Sequence, residues 1–243
     1  MLIKCMNDNT LNICKAMKSS LMTTQNESEE IERCTRHQRK NPFWFTYRVG
    51  RLTGSVISYF VKKANSGSNN ISETFLVKLT SGTGTQLQTN AIVYGIMHEP
   101  VALRYLSMKK KICIKECGLI VDSSGILAAS PDGLVGENAC VEVKCTWKYA
   151  KLGSEMALKD KSYGLLRKDN GEIIMTKDSI WYDQVQMQMY VSRRTKCYFI
   201  LYITDDSIII EIPYDKNWSA NVPKLINFYW TVVFPKIVSK RSS

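Results

Sequence analysis

Three residues with the chemistry of phosphate-ester hydrolysis lie within the stretch Gly118–Trp147. Asp132 stands in the sequence Ser-Pro-Asp-Gly-Leu, and Glu142 and Lys144 follow in Val-Glu-Val-Lys. Residues two apart on a strand point the same way, so Glu142 and Lys144 share one face. The Pro-Asp-Gly sequence is a turn signal that leaves Asp132 at the tip of the preceding strand. We therefore predict a hairpin that brings both carboxylates to one point.

Two converging carboxylates make a hard oxygen site that suits Mg²⁺ or Mn²⁺. A lysine beside them can hold or polarise the attacking water and can oppose the charge of a phosphate. This combination of residue types predicts a metal-dependent phosphodiesterase.

The overall charge is consistent with a polyanionic partner. The chain has 243 residues, of which 44% are hydrophobic, enough for one large globular domain. Lys and Arg number 33 against 22 Asp and Glu, which gives a net charge of +11. Nucleic acid is the commonest polyanion for such a protein, although a solvated basic surface gives the same count.

Cysteine usage and hydropathy exclude several other classes. The eight cysteines form no Cys-x-x-Cys pair and the chain has two histidines, which argues against a structural zinc site. No signal-peptide pattern opens the chain, and no apolar run approaches the ~18 residues of a membrane span. We expect an intracellular protein with reduced thiols and no membrane partner.

The N-terminal part predicts an extension followed by one domain. Residues 1–40 are polar and then basic, and form either a mobile arm or a helix over residues 27–38 with Ser28 as its cap. Residues 41–243 are expected to be a single domain. In it, Thr53-Gly54-Ser55 precedes an apolar-periodic run and indicates the start of a helix, a natural place for a phosphate beside arginine.

Periodicity downstream predicts helices around a central mixed sheet, an α/β fold. Glu99 lies on a helix that Pro100 should kink or divide, and Gln184 and Gln188 share one side of a later helix. The predicted elements are a helix over 90–108, strands at 112–119 and around Asp132 and Glu142, a mobile loop with some helix over 148–178, a helix over 179–191, strands at 197–203 and 208–213, and a helix over 222–239.

Four motifs in this order resemble the PD-(D/E)xK nucleases, and within them the phage lambda exonuclease/YqaJ viral recombinase family and the alkaline exonucleases of large DNA viruses. The motifs are Arg48-Val49-Gly50-Arg51-Leu52-Thr53-Gly54-Ser55, Gly95-Ile96-Met97-His98-Glu99-Pro100, the Asp132 and Glu142/Lys144 pair, and Gln184-Val185-Gln186. The resemblance implies a restriction-endonuclease-like fold. Thr146-Trp147 departs from it, since many relatives carry a proline there.

The resemblance also implies the role of each site residue. Asp132 and Glu142 would bind divalent metals, with Glu99 and the carbonyl of Val143 as further ligands. The ions would be two Mg²⁺, with Mn²⁺ as a substitute. Lys144 would orient or deprotonate the attacking water, and Gln184 would position that water or the lysine.

A second set of residues is implied for binding the end of a DNA strand. Arg48, Ser55 and Ser130 would form a pocket for a 5′-phosphate, and Arg51 is a further basic candidate. Trp181 would stack on a base, or else it is an ordinary core tryptophan.

Taken together, the implied activity is a 5′-to-3′ exonuclease on linear double-stranded DNA. It would leave 3′ single-stranded tails for recombination, repair or viral DNA processing, with a single-strand annealing protein as partner. The chain would act as a trimer or a monomer in the nucleus or cytoplasm of a host cell. The alternatives are an endonuclease of the same fold acting on DNA or RNA, and an inactive nucleic-acid-binding protein.

Overall fold

The structure is a computed structural model, and it describes residues 16–81, 89–204 and 206–241. The chain divides into two compact units. Unit 1 contains the described residues up to 81 together with residues 118–129 and 216–241, and unit 2 contains the remainder. The predicted boundary between an extension over 1–40 and one domain over 41–243 stays a prediction.

The regular elements are as follows. The α-helices are α1 Gln25–Cys34, α2 Pro42–Arg48, α3 Ile57–Ser66, α4 Glu73–Thr80, α5 Asn90–Lys110, α6 Ser154–Leu158, α7 Tyr182–Ser192, α8 Asn221–Phe228 and α9 Phe234–Arg241. The strands are β1 Leu52–Thr53, β2 Ile120–Val121, β3 Leu127–Ala129, β4 Gly133–Val135, β5 Ala139–Cys145, β6 Leu165–Arg167, β7 Ile173–Met175, β8 Lys196–Tyr202 and β9 Ile208–Pro213.

In unit 1, helix α1 covers the edge of a three-stranded sheet whose order is β1-β3-β2. The edge strand β2 has main-chain groups that need partners, and side chains of α1 supply them. The Ser28 hydroxyl donates to the carbonyl of Val121 at 2.7 Å. Just before the strand, the N–H of Leu119 donates to the Thr35 hydroxyl at 2.7 Å. Residues 25–34 are therefore part of the packed unit.

The predicted cap of this helix is wrong. Helix α1 begins at Gln25, and Thr24 caps it in a capping box with Glu27. Ser28 is buried against β2 and has no capping role. Both Thr24 and Ser28 are residue types that cap helices, but only Thr24 has a glutamate three residues later to complete the box.

The predicted helix start at Thr53-Gly54-Ser55 is also displaced. Thr53 lies on β1, and α3 begins at Ile57 after a turn, with no side-chain cap. The apolar-periodic run after it does form the inner face of α3, where Ile57, Phe60 and Val61 are buried.

In unit 2, a four-stranded sheet has the order β4-β5-β8-β9. The β5/β8 pair is parallel and the two outer pairs are antiparallel, so the predicted mixed sheet flanked by helices is confirmed. On one face, Val141 packs in a cluster with Ala102 and Leu106 of α5. On the other face, Cys140 packs in a cluster with Val185 and Met189 of α7, among others. Alternation along β5 therefore directs Glu142 and Lys144 toward α7.

Four predicted elements of the chain need correction or refinement. Helix α5 runs from Asn90 to Lys110 through Pro100, so Pro100 does not divide it, and the predicted kink stays a prediction. Residues 112–119 form no strand and meet β4 through a single bridge between Lys115 and Leu134. Residues 148–178 hold α6, in line with the predicted helix in this loop, and also the β6–β7 hairpin, which was not predicted. The last helix is interrupted by a π-helical turn ahead of Pro235, which has no N–H for the carbonyl four residues before it.

The strands predicted at 197–203 and 208–213 are confirmed within one residue. Part of the turn predicted between them, at Asp205, lies outside the described residues. No helix in the described ranges is long and apolar enough to cross a membrane.

The docking of α1 makes Gly118→Ala a test of the fold. A Cβ at Gly118 would lie 1.9 Å from the carbonyl oxygen of Glu32 and 2.6 Å from the Thr35 hydroxyl oxygen. We expect the variant to lose about 1–3 kcal/mol of unfolding free energy in urea titrations, because backbone must move. Gly95→Ala is the control, since nothing lies within 4 Å of a Cβ there. It should be neutral or slightly stabilising on a helix. Equal stabilities for the two variants would contradict the packing of α1.

Candidate active site

The hairpin of β4 and β5 sets Asp132 opposite Glu142. The antiparallel register pairs Gly133 with Val141, so the residues one step further on face each other. The N–H of Asp132 donates to the carbonyl of Val141 at 2.9 Å. In return, Asp132 Oδ2 accepts from the N–H of Val143 at 2.6 Å. These two bonds extend the hairpin by one residue and fix the Asp132 carboxylate beside β5.

Glu142, Lys144 and Gln184 form a closed triangle of contacts. Glu142 Oε1 lies 2.5 Å from Lys144 Nζ. The amide of Gln184 donates to the same Glu142 oxygen at 2.6 Å, and its carbonyl accepts from Lys144 Nζ at 3.1 Å. Glu142 is 2% exposed, whereas the Lys144 side chain is 26% exposed. The lysine therefore has one side on the carboxylate and another accessible to solvent.

Gln188 is a site residue that the sequence interpretation did not select. Its amide donates to Glu142 Oε2 at 2.5 Å, and the side chain is 2% exposed. Gln188 Oε1 is buried and has no hydrogen-bond partner within the described part of the chain. The available signal was its position one helical turn after Gln184. The two glutamines together hold both oxygens of Glu142.

Charge accumulates at this end of the hairpin. The pKa of Asp132 is raised well above its usual value, first by burial and then by the negative charges of Glu142 and Glu99. Burial alone would lower the pKa of Lys144, but Glu142, Asp132 and Glu99 raise it overall. Three carboxylates against one ammonium leave a negative surplus that a divalent cation can neutralise.

The same carboxylates are directed toward protein donors. Both Glu142 oxygens accept from amides, and one Asp132 oxygen accepts from main chain. Among the residues that the structure describes, no group of three or more His, Cys, Asp or Glu is arranged to hold a metal ion. The donor types fit a hard cation, but a bound ion would compete with the amides and with Lys144 for Glu142.

Comparison with known proteins assigns the chain to a family. The sequence profile described as "Viral alkaline exonuclease" matches residues 7–172, more than half of the chain. The chain belongs to this family. The predicted recognition is thereby confirmed, and the match includes every predicted site residue except Gln184 and Trp181, which lie beyond it.

The curated relatives that this chain matches are longer than the chain itself. The alkaline nuclease of Autographa californica nuclear polyhedrosis virus is 25% identical over 204 residues, covering 77% of this chain and 47% of the relative. The chain thus spans about half the length of that relative.

Solved structures support the same fold. An alkaline exonuclease from Laribacter hongkongensis superposes with a TM-score of 0.58 at 23% identity, covering 82% of this chain and 95% of that one. The SOX protein in a DNA complex gives 0.52 at 15% identity, covering 87% and 72%. The Kaposi's sarcoma herpesvirus SOX–RNA complex gives 0.54 at 13%, covering 88% and 77%.

Unit 1 contains a separate cluster with the chemistry to bind an anion. Arg48 Nη2 lies 3.3 Å from the Thr53 hydroxyl and 3.4 Å from the Ser55 hydroxyl. The guanidinium also lies 4.1 Å from the ring centroid of Trp44, one helical turn earlier. Burial and the nearby charge of Arg39 lower the pKa of Arg48 to about 10. We call Arg48, Thr53 and Ser55 the arginine–hydroxyl cluster. The sequence interpretation had omitted Thr53.

The remaining residues predicted to contact nucleic acid lie outside the arginine–hydroxyl cluster. Arg51 donates to the main-chain carbonyls of Gly125 at 3.0 Å and Tyr47 at 2.5 Å. Trp181 is half-buried, with ring centroids 4.4 Å from Tyr163 and 5.3 Å from Phe199, in line with the core alternative. Ser130 lies in unit 2, two residues before Asp132. Roles for these three in DNA binding stay predictions, as does the Val143 carbonyl as a metal ligand.

The hydrogen bond between Gln188 and Glu142 predicts a measurable coupling. Gln188→Leu should lower the unfolding free energy by about 1–3 kcal/mol, because it leaves a buried carboxylate oxygen without a donor. The loss should be clearly smaller in a Glu142→Gln background, where no charge needs that donor. Urea unfolding of the two single variants and the double variant gives the coupling energy.

Gln186→Leu is the matched control for this cycle. Gln186 is equally buried on α7, but it bonds to the Pro213 carbonyl and the Asp215 N–H. It should destabilise the protein without coupling to Glu142→Gln. If the effects of Gln188→Leu and Glu142→Gln on the unfolding free energy add as simply as those of Gln186→Leu and Glu142→Gln, the hydrogen bond between Gln188 and Glu142 would be contradicted.

Proposed function

We propose that this chain is a metal-dependent deoxyribonuclease that degrades one strand of linear duplex DNA from its 5′ end. The observation that carries the proposal is the Glu142–Lys144–Gln184 triangle beside Asp132, in a chain of the viral alkaline exonuclease family. The products would be 3′ single-stranded tails, which a single-strand annealing protein can use in recombination or viral DNA processing.

Nucleases of this family generally depend on a divalent metal. We propose two Mg²⁺ ions, with Mn²⁺ able to substitute, held by Asp132, Glu142 and Glu99, with the Val143 carbonyl as a further oxygen. When bound, such ions activate water and neutralise charge on the phosphate and the leaving oxygen. The carboxylate surplus around Asp132 supports this ligand set, because the charges repel one another without a cation.

Lys144 is proposed to hold and orient the attacking water. The carboxylates around it raise its pKa and keep it an ammonium, which cannot take the proton of that water. Its ammonium is fixed on one side by Glu142 and Gln184 and is partly exposed on the other, where a substrate can approach. The water attacks phosphorus and loses its proton to solvent, the bond from phosphorus to the 3′ oxygen breaks, and a proton from solvent neutralises that oxygen. Gln184 orients Lys144, and Gln188 keeps Glu142 in place for both.

The arginine–hydroxyl cluster is proposed to bind a 5′-phosphate. A half-buried guanidinium beside two hydroxyls presents several donors, and charge-assisted bonds to phosphate are strong. Since burial disfavours the charge of Arg48, an anion would relieve an existing cost. This supports a preference for phosphorylated ends.

An endonuclease of the same fold, acting on DNA or RNA, is the second candidate. It is favoured by one observation, that the SOX protein of similar fold is known in a complex with RNA. Closed circular DNA and a linear RNA separate the candidates. An exonuclease leaves the circle intact, while rapid nicking would favour the endonuclease.

Removing the active-site charges tests the catalytic assignment. Asp132→Ala and Lys144→Met should each lower Mg²⁺-dependent hydrolysis of end-labelled linear duplex by about 10²–10⁴-fold. Lys168→Met is the control, since Lys168 is exposed and pairs with Glu172 elsewhere in unit 2. Circular dichroism verifies folding, and retained activity in folded Asp132→Ala and Lys144→Met variants would refute the assignment.

The role proposed for Arg48 is tested by the preference for phosphorylated DNA ends. Arg48→Met should reduce the rate preference for 5′-phosphate over 5′-hydroxyl ends by about 10- to 100-fold, the equivalent of losing a charge-assisted bond. Ser55→Ala should reduce it less. Arg33→Gln, at an exposed arginine paired with Glu30, should keep the preference of the unmodified chain. An unchanged preference in Arg48→Met would remove this cluster from end recognition.

A further inference from the structure

A cluster of three aromatic rings links the two elements that bear Glu99 and Lys144. Tyr94 and His98 lie one turn apart on α5 and are stacked, with ring centroids 3.8 Å apart and planes inclined by 24°. Trp147 follows β5, and its ring centroid lies 5.5 Å from that of Tyr94 with the two planes inclined by 60°. His98 directly precedes Glu99, and Trp147 stands three residues after Lys144. The ring cluster therefore lies at the same end of the sheet as the candidate active site.

Trp147 is the outer member of this ring cluster. It is 49% exposed, whereas Tyr94 is 8% exposed. Single exposed apolar side chains are common and need no explanation. Trp147 differs because it contacts a buried ring and still leaves part of the indole accessible beside the candidate active site.

The chemistry of the surroundings indicates what would cover this ring. Trp147 stands beside the candidate active site, where the proposed function requires a nucleic-acid strand, in a chain of net charge +11. Lys144 and Lys148 are paired with Glu142 and Asp160, so the argument rests on this position and not on the two lysines. Aromatic side chains bind nucleobases by stacking, at about 1–3 kcal/mol per base. Three residues span at most ~11 Å, which corresponds to about three nucleotides at ~3.4 Å each.

We propose that Trp147 is a stacking platform for a nucleobase of the substrate, within about three nucleotides of the phosphate that is cut. Inside a duplex both faces of a base are covered by its neighbours, so the platform takes a terminal or unpaired base. The inference rests on the proposed function, because it needs a nucleic-acid strand at the candidate active site. It adds a contact with the base to sites that otherwise bind phosphate and metal.

Binding without cleavage tests the platform. Fluorescence anisotropy in Ca²⁺ measures the affinity for 5′-phosphorylated duplex in which one of the first four nucleotides is abasic. Wild-type protein should lose about 5- to 100-fold in affinity at one abasic position. Trp147→Ala should bind intact DNA more weakly by a similar factor and be insensitive to that abasic position. Trp147→Phe should restore most of the sensitivity.

Leu166→Ala is the control, because Leu166 is a comparably exposed apolar residue on β6. It should behave as wild type at every position. As an independent readout, 2-aminopurine at the sensitive position should lose fluorescence on binding wild type and keep it with Trp147→Ala. If Trp147→Ala fails to fold, Trp147→Leu takes its place in the cycle.

Equal abasic penalties in wild type and Trp147→Ala would overturn the platform, even if duplex DNA is hydrolysed as proposed. A position-specific penalty that depends on Trp147 would support it, even if no hydrolysis occurs and the proposed activity fails. Absence of DNA binding would overturn both.

Discussion

The burial of the Glu142 carboxylate is the constraint on which the candidate active site depends. A buried charge is tolerated only when it is paired and hydrogen-bonded. Lys144 supplies the opposite charge, and two glutamines of α7 supply donors to both oxygens. Lys144 lies on β5 and both glutamines lie on α7. The site can therefore form only when α7 packs on the sheet in this position.

This requirement explains why polar residues occupy an otherwise apolar helix face. Val185 and Met189 of α7 pack against the sheet, while Gln184 and Gln188 reach Glu142. Apolar residues in place of these amides would pack well in the core, but they would leave the buried Glu142 carboxylate without its amide donors. Within the described residues, the side-chain oxygen of Gln188 has no hydrogen-bond partner. The arrangement therefore holds Glu142 in place at the cost of one unmade hydrogen bond on Gln188.

Much of this site could be predicted from the sequence because strand periodicity is local. The spacing of Glu142 and Lys144 fixed their common face, and a hairpin does bring Asp132 opposite Glu142. Its turn lies at residues 136–138, however, whereas Pro-Asp-Gly leads into β4. The role of Gln188 could not be predicted, since it depends on how α7 sits on β5. The same limit applies to Ser28, a residue type that caps helices but here bonds to a strand. The apolar residues at 112–119 suggested a strand, yet only one bridge forms.

The two units contain opposite electrostatic imbalances. Around Asp132 the carboxylates exceed the cations, so a divalent metal would lower the energy of the site. At Arg48 the guanidinium has hydroxyl and aromatic partners and a nearby arginine, so an anion would lower the energy there. In the proposed function, divalent ions would offset the carboxylate surplus around Asp132, and a terminal phosphate would pair with Arg48. Both proposals therefore rest on local charge and not on the overall basicity of the chain.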